Sequence, residues 1–290
     1  MTRVACIGEA MIELSTVGDT AALGVAGDTL NTAIYLKRSA PDLTVDFVTR
    51  LSDDPFSDRI RNFIASEGIG TGQVATDPGT SPGLYAITVD AGGERSFTYW
   101  RSHSPARNLF SDGDFSVLNG YDLIYLSGIT LAIMAPAARN ALTVALHQTV
   151  ANVAFDGNYR PRLWESPMAA HSAIGRLQKI ADLNLPSIDD EMTLTGNNAT
   201  EVEERFADMQ CSGALKRGAD GPLSLGEPVN QSYPPAPIVI DTTAAGDSFN
   251  GGYLAAVLSG KTQADALMAG HTLASKVIAH RGAIIPKEDM

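Results

Sequence analysis

Asp241-Thr-Thr-Ala-Ala-Gly-Asp-Ser-Phe-Asn-Gly-Gly-Tyr-Leu-Ala-Ala256 joins a turn of small residues, an acid and an amphipathic helical run. The turn Ala244-Ala245-Gly246 leaves backbone N–H groups open at a helix start, and such orphan donors, with the helix dipole, attract phosphate oxygens. Asp247 falls in the first turn. A carboxylate there can accept the proton of an attacking hydroxyl while the neighbouring amides stabilise a migrating phosphoryl group. A plainer reading makes Asp247 a helix N-cap and Gly246 a turn residue, so the rest of the chain has to decide.

Working outward, Pro234-Pro235 marks a loop, Ile238 to Ile240 is expected as a strand, and helices are expected over 246–259 and 263–280. Towards the N-terminus the chain alternates strand and helix. Val4 to Ile7 is a short apolar run closed by Gly8, and Gly27 leads into a helix capped by Asp28 or Thr29. Val45 to Val48 is the next strand, and Phe56, Ile60, Phe63 and Ile64 fall at helical spacing from Asp54 to a stop at Gly68. After residue 107 come strands at Leu123 to Leu126, Asn152 to Phe155, Ile180 to Leu185 and Ala214 to Leu215, with helices at Ala135 to His147, Glu191 to Leu194 and Thr200 to Met209. This order predicts an α/β fold with a largely parallel sheet.

The stretch 84–101 breaks the rhythm. Leu84 to Asp90 and Arg95 to Arg101 flank Ala91-Gly92-Gly93-Glu94, the pattern of an antiparallel hairpin, expected to act as a lid. Tyr85, Phe97, Tyr99 and Arg101 share one parity, so one face is both aromatic and cationic.

The 290 residues suffice for a large core, and the formal charge of −12 argues against nucleic acid or an anionic membrane as partner. Cys6 and Cys211 give no disulfide framework, and the five histidines show no metal-ligand spacing. Without a signal-peptide pattern at the N-terminus or a run long enough to span a bilayer, the expected location is the cytoplasm.

Several stretches in order resemble the PfkB, or ribokinase-like, carbohydrate kinases over essentially the whole chain. Asp241 to Ala256 matches that family's C-terminal signature and Gly27 to Ala33 its N-terminal one. Gly8-Glu-Ala-Met-Ile-Glu-Leu14, Gly83-Leu-Tyr85, Tyr99-Trp-Arg101, Leu126 to Ile129, Asp156-Gly-Asn-Tyr-Arg-Pro-Arg-Leu-Trp164, Leu215-Lys-Arg-Gly-Ala-Asp220 and Arg281 to Pro286 resemble the branch acting on 2-keto-3-deoxygluconate. The resemblance implies a three-layer α/β/α sandwich forming one kinase domain over 1–290, with a small β-sheet lid inserted at about 10–22 and 80–107. It also implies transfer of the γ-phosphate of ATP to the terminal hydroxyl of this acidic sugar, with Mg²⁺. The alternatives are a kinase of another sugar or nucleoside, or a sugar-binding relative without catalysis.

Residue by residue, the resemblance makes Asp247 the general base and Ala244, Ala245 and Gly246 the anion hole, with Ala244 in place of the commoner Gly. It assigns Gly27, Asp28, Asn31, Tyr85, Tyr99, Arg101 and Arg160 to the sugar; a guanidinium holds a carboxylate bidentately, which a neutral sugar does not require. Arg162 stays open. Asn158, Ser187, Lys216, Arg217, Gly218 and Gly221, with Gly246, go to the nucleotide. Asp189, Asp190 and Glu191 are the carboxylates available to Mg²⁺ through water, Asp190 and Glu191 foremost, and Asp241 and Thr243 occupy positions that hold a monovalent cation in some relatives. Exposed edges of a lid sheet suggest a homo-oligomer.

Overall fold

The computed structural model describes residues 2–17, 20–89 and 95–290. In chain order the strands are β1 (Arg3–Ile7), β2 (Met11–Val17), β3 (Thr20–Ala26), β4 (Thr44–Leu51), β5 (Val74–Thr76), β6 (Leu84–Val89), β7 (Arg95–Trp100), β8 (Leu123–Ser127), β9 (Asn152–Asp156), β10 (Leu183–Asn184), β11 (Ser212–Leu215) and β12 (Leu223–Leu225). The α-helices are α1 (Asp28–Ser39), α2 (Pro55–Ser66), α3 (Gly128–Ile133), α4 (Pro136–Gln148), α5 (Pro167–Ile180), α6 (Ile188–Thr195), α7 (Ala199–Met209), α8 (Ala245–Leu258) and α9 (Gln263–Val277).

Eight strands form one sheet in the order β12-β11-β10-β9-β8-β1-β4-β5, parallel except for the β11–β12 pair. Its central strands are apolar on both faces. Val4 and Cys6 join a core with residues of α1, α2, α8 and α9, while Ala5 and Ile7 join a second core with α3, α4 and α5. A strand whose successive side chains enter two different cores must have helices on both faces, and the result is the expected three-layer α/β/α sandwich. The second sheet, in the order β3-β2-β6-β7, has four strands and leaves the sandwich as a separate layer.

Local chemistry explains the frame. Asp54 caps α2 by accepting from the N–H groups of Phe56 and Ser57, at 2.7 and 3.0 Å, with Pro55 at the first helical position. Helix α8 lies between α1 and α9 at near backbone contact. A Cβ on Gly251 would stand 2.8 Å from the Leu36 nitrogen and one on Gly252 3.0 Å from the Ala269 oxygen. Among the described residues no helix is long and apolar enough to cross a membrane.

Some expectations need correction. Ile238 to Ile240 is not a strand: the Ile240 and Asp241 N–H groups both donate to the Ile278 oxygen, and the three apolar side chains are about half exposed. The strand expected over 180–185 is only Leu183–Asn184, because Ile180 ends α5. Helix α1 starts from Gly27, which has no side-chain cap, so neither Asp28 nor Thr29 is the cap. The expected turn Ala91 to Glu94 lies outside the described residues.

Candidate active site

The carboxyl ends of β1, β8 and β9, with the first turns of α1 and α8, surround a cavity of about 850 Å³ roofed by the lid. Open α/β sheets collect their ligands at this end. Gly27, Asp28, Asn31, Tyr85, Tyr99, Arg101, Asn158, Arg160, Arg162 and Asp247 all line it. A second cavity of about 590 Å³ is walled by Lys216, Arg217, Gly218, Pro222, Val239, Phe249, Ala274 and Ile278. Ser187, Asp189, Lys216, Thr242, Ala245 and Gly246 line both. The two cavities therefore meet at the N-terminus of α8.

That terminus is shaped by Ala244, whose φ of 59° and ψ of 17° place an L-residue in the left-handed region. The methyl group makes this conformation cost about 1 kcal/mol. It tightens the turn so that the Ala245 N–H reaches the Thr242 oxygen at 3.2 Å. Of the amides expected in the anion hole, Ala245 thus has a partner, whereas the Gly246 and Asp247 N–H groups have no backbone partner among the described residues.

Asp247 is the third residue of α8 and makes no cap, because the helix starts from Ala244 without a side-chain hydrogen bond. Its Oδ2 accepts from Asn31 Nδ2 at 2.8 Å. Burial, then the neighbouring Asp28 carboxylate, pushes its carboxyl up to about 8, against the lowering effect of Asn31. Asp28 accepts from Ser127 Oγ and, at 2.8 Å, from Asn158 Nδ2, and burial raises its carboxyl as well. Asn158, expected at the nucleotide, thus lines the larger cavity and holds Asp28 there.

Asp156 ties the two cavities together. Its Oδ2 accepts from Lys216 Nζ at 2.6 Å and Asn250 Nδ2 at 2.7 Å, and Lys216 Nζ stands 3.4 Å from where a Cβ on Gly246 would be. A cation is thereby pinned beside the open amides. Above, the rings of Tyr85 and Tyr99 are 5.6 Å apart and those of Phe97 and Tyr99 6.4 Å, with the Arg101 guanidinium 5.9 Å from the Tyr99 ring. The face expected from strand parity is therefore present and turned to the cavity.

The remaining expected residues divide. Arg160 is half exposed and pairs with Asp190 at 2.8 Å. Glu191 lines neither cavity, its buried carboxylate held by Arg205 and by Gln178 Nε2. Gly221 does not line the second cavity; a Cβ there would meet the Tyr233 ring at 2.5 Å. Asp241 Oδ1 accepts from the Thr243 hydroxyl at 2.7 Å and Oδ2 from the Gly282 N–H at 2.6 Å. No group of three His, Cys, Asp or Glu able to hold a metal ion occurs among the described residues. Sequence reasoning passed over Glu9, Glu13 and Asn250 as site residues. A lone acid in a turn or an amide inside a helix carries no periodic signal, and only the partner across the fold reveals it.

Two cavities meeting at open amides beside a buried acid and a pinned lysine define a cleft for moving a group between two ligands. The model of the pfkB family of carbohydrate kinases matches residues 1–290, so the chain belongs to that family. The 2-dehydro-3-deoxygluconokinase of Escherichia coli strain K12 is 41% identical, covering 99% of this chain and 98% of the relative. That of Dickeya dadantii is 42% identical with the same coverage. Among solved structures, the Thermotoga maritima 2-dehydro-3-deoxygluconokinase has a TM-score of 0.86 at 21% identity, covering 100% of this chain and 98% of its own. A Vibrio cholerae fructokinase with fructose, ADP and calcium ion bound has a TM-score of 0.84 at 24% identity, covering 98% and 94%.

Proposed function

We propose that this protein transfers the γ-phosphoryl group of ATP to the terminal hydroxyl of 2-keto-3-deoxygluconate, also called 2-dehydro-3-deoxygluconate, giving the 6-phosphate. The observation that carries the reading is Arg101, which is nine-tenths buried and lines the cavity that holds Asp247. A guanidinium lining a cavity favours an anionic ligand there, and its planar fork matches a carboxylate. The relatives of about 40% identity bear the name of that activity.

Asp247 takes the hydroxyl proton. A raised carboxyl suits this role, since a base that titrates near the working pH accepts a proton readily. The Gly246 and Asp247 amides, with Lys216, stabilise charge on the group in flight. The second cavity fits a nucleotide: its far end is apolar, with Pro222, Val239 and Ile278, and its near end carries Lys216 beside the open amides. Mg²⁺ would neutralise the phosphates with Asp189 and Asp190 as the cavity-lining acids acting through water, because Glu191 is committed to Arg205. We place Tyr85, Tyr99, Arg101 and Arg160 at the sugar acid, and hold the Asp241 and Thr243 region for a monovalent cation. The lid keeps water from the phosphoryl group.

The test is turnover of 2-keto-3-deoxygluconate, fructose, ribose and adenosine by the purified protein with ATP and Mg²⁺. The acid should be phosphorylated far faster than the others. Comparable rates on a neutral sugar would reject the substrate, and no transfer to any acceptor would reject the reaction.

A further inference from the structure

Glu9 is 2% exposed, lines the large cavity and has no place in the chemistry above. One carboxylate oxygen meets the Arg101 guanidinium and the other accepts from the Ser104 hydroxyl. The surroundings are built to admit it. A Cβ on Gly83 would lie 2.8 Å from the Glu9 carboxylate, and a Cβ on Gly27 would lie 2.1 Å from the Glu9 main-chain oxygen.

These contacts share a topological property. The lid joins the sandwich by four crossings: into β2 after Gly8, out of β3 at Gly27, into β6 at Gly83 and out of β7 at Arg101. Glu9 sits in the first and touches the other three. Its charge holds one end of the Arg101 guanidinium on the sandwich side, while the buried Nε is left without a partner.

We propose that Glu9 is a positioning residue: by pairing with Arg101 where the lid leaves the sandwich, it aims that guanidinium at the carboxylate of an acidic sugar. The inference rests on the acidic-sugar reading above. Glu9 touches no reacting atom, so its effect falls on sugar binding and leaves phosphoryl transfer intact. Removing one member of a buried pair strands the other, and for this reason Gln, which keeps the volume and an acceptor for Ser104, is the informative replacement.

Glu9→Gln should raise KM for 2-keto-3-deoxygluconate about 10-fold, with kcat within threefold of wild type and KM for ATP unchanged. Glu9→Asp, which keeps the charge, should recover most of the loss. In an Arg101→Leu background, Glu9→Gln should add no further rise, because its effect passes through the guanidinium. The proposal is overturned by a sugar KM within twofold of wild type, by a fall in kcat with a parallel rise in KM for ATP, or by full additivity with Arg101→Leu. If Glu9→Gln does not fold, Ser104→Ala replaces it; a threefold rise in the same KM supports the role, and an unchanged KM overturns it. A wild type unable to phosphorylate the acid overturns the substrate reading and this inference together, whereas an active wild type matched by Glu9→Gln overturns this inference alone.

Discussion

Replacing Asp247 by Asn should cut turnover sharply and stabilise the ligand-free protein, and both effects have one cause. Burial and the Asp28 carboxylate push the Asp247 carboxyl up to about 8. Between the ordinary aspartate value near 4 and about pH 8, the folded chain then holds a proton that the unfolded chain has released. This contribution to stability is complete below about pH 4 and is lost as pH rises through the folded value. The slope is about 1.4 kcal/mol per pH unit, so the ceiling at pH 7 is about 4 kcal/mol. Asn keeps the shape and an oxygen to accept from Asn31 without the titration. Even half the ceiling raises Tm by roughly 4–8 °C. Thermal unfolding of both proteins without ligand, from pH 5 to 9, should show a gap that widens up to about pH 8 and then levels off. Turnover of the variant should be about 10²-fold lower or worse. A gap that does not change with pH, or a variant less stable than wild type at pH 8, would refute the electrostatic account; turnover within tenfold of wild type would refute the base.

Arg101→Leu should raise KM for the acidic sugar by roughly 10-fold to 100-fold, matching the loss of charge-assisted bonds of about 1.5–3 kcal/mol, with a smaller effect on kcat, as steady-state kinetics would show. Ala244→Gly relieves the left-handed alanine but adds freedom to the unfolded chain, so denaturant unfolding should change by less than about 1 kcal/mol and kcat by less than threefold. Asp156→Asn removes the charge that pins Lys216 and should lower kcat and raise KM for ATP more than for the sugar. Gly251→Ala drives a methyl group to 2.6 Å from the Tyr35 Cβ and should cost about 1–3 kcal/mol in denaturant unfolding.

The central strands were legible because a strand buried on both faces must be a short apolar run, as Val4 to Ile7 and Leu123 to Leu126 are. Lid parity was legible for a related reason: a two-residue period puts Tyr85, Tyr99 and Arg101 on one side whatever the sheet packs against. The misreadings came from partners remote in the chain. Asp28 reads as a cap, yet its carboxylate bonds Ser127 and Asn158, 99 and 130 residues away. Ile238 to Ile240 has the composition of a buried strand, but Val239 faces a cavity and its segment bonds to the end of α9. Helix α5 was passed over altogether, and β3 and β12 are too short or too exposed to stand out.

The glycine seam around α8 separates two kinds of change open to this molecule. Where neighbouring main chains already touch, neither flank can gain an atom without displacing the helix that carries Asp247. A larger side chain at Gly251 or Gly252 would run into the backbone of α1 or α9. On the roof the exposed Phe97 and Tyr99 of β7 are free of that restriction, so the face turned to the cavity can be redecorated while the helix bearing Asp247 stays as it is.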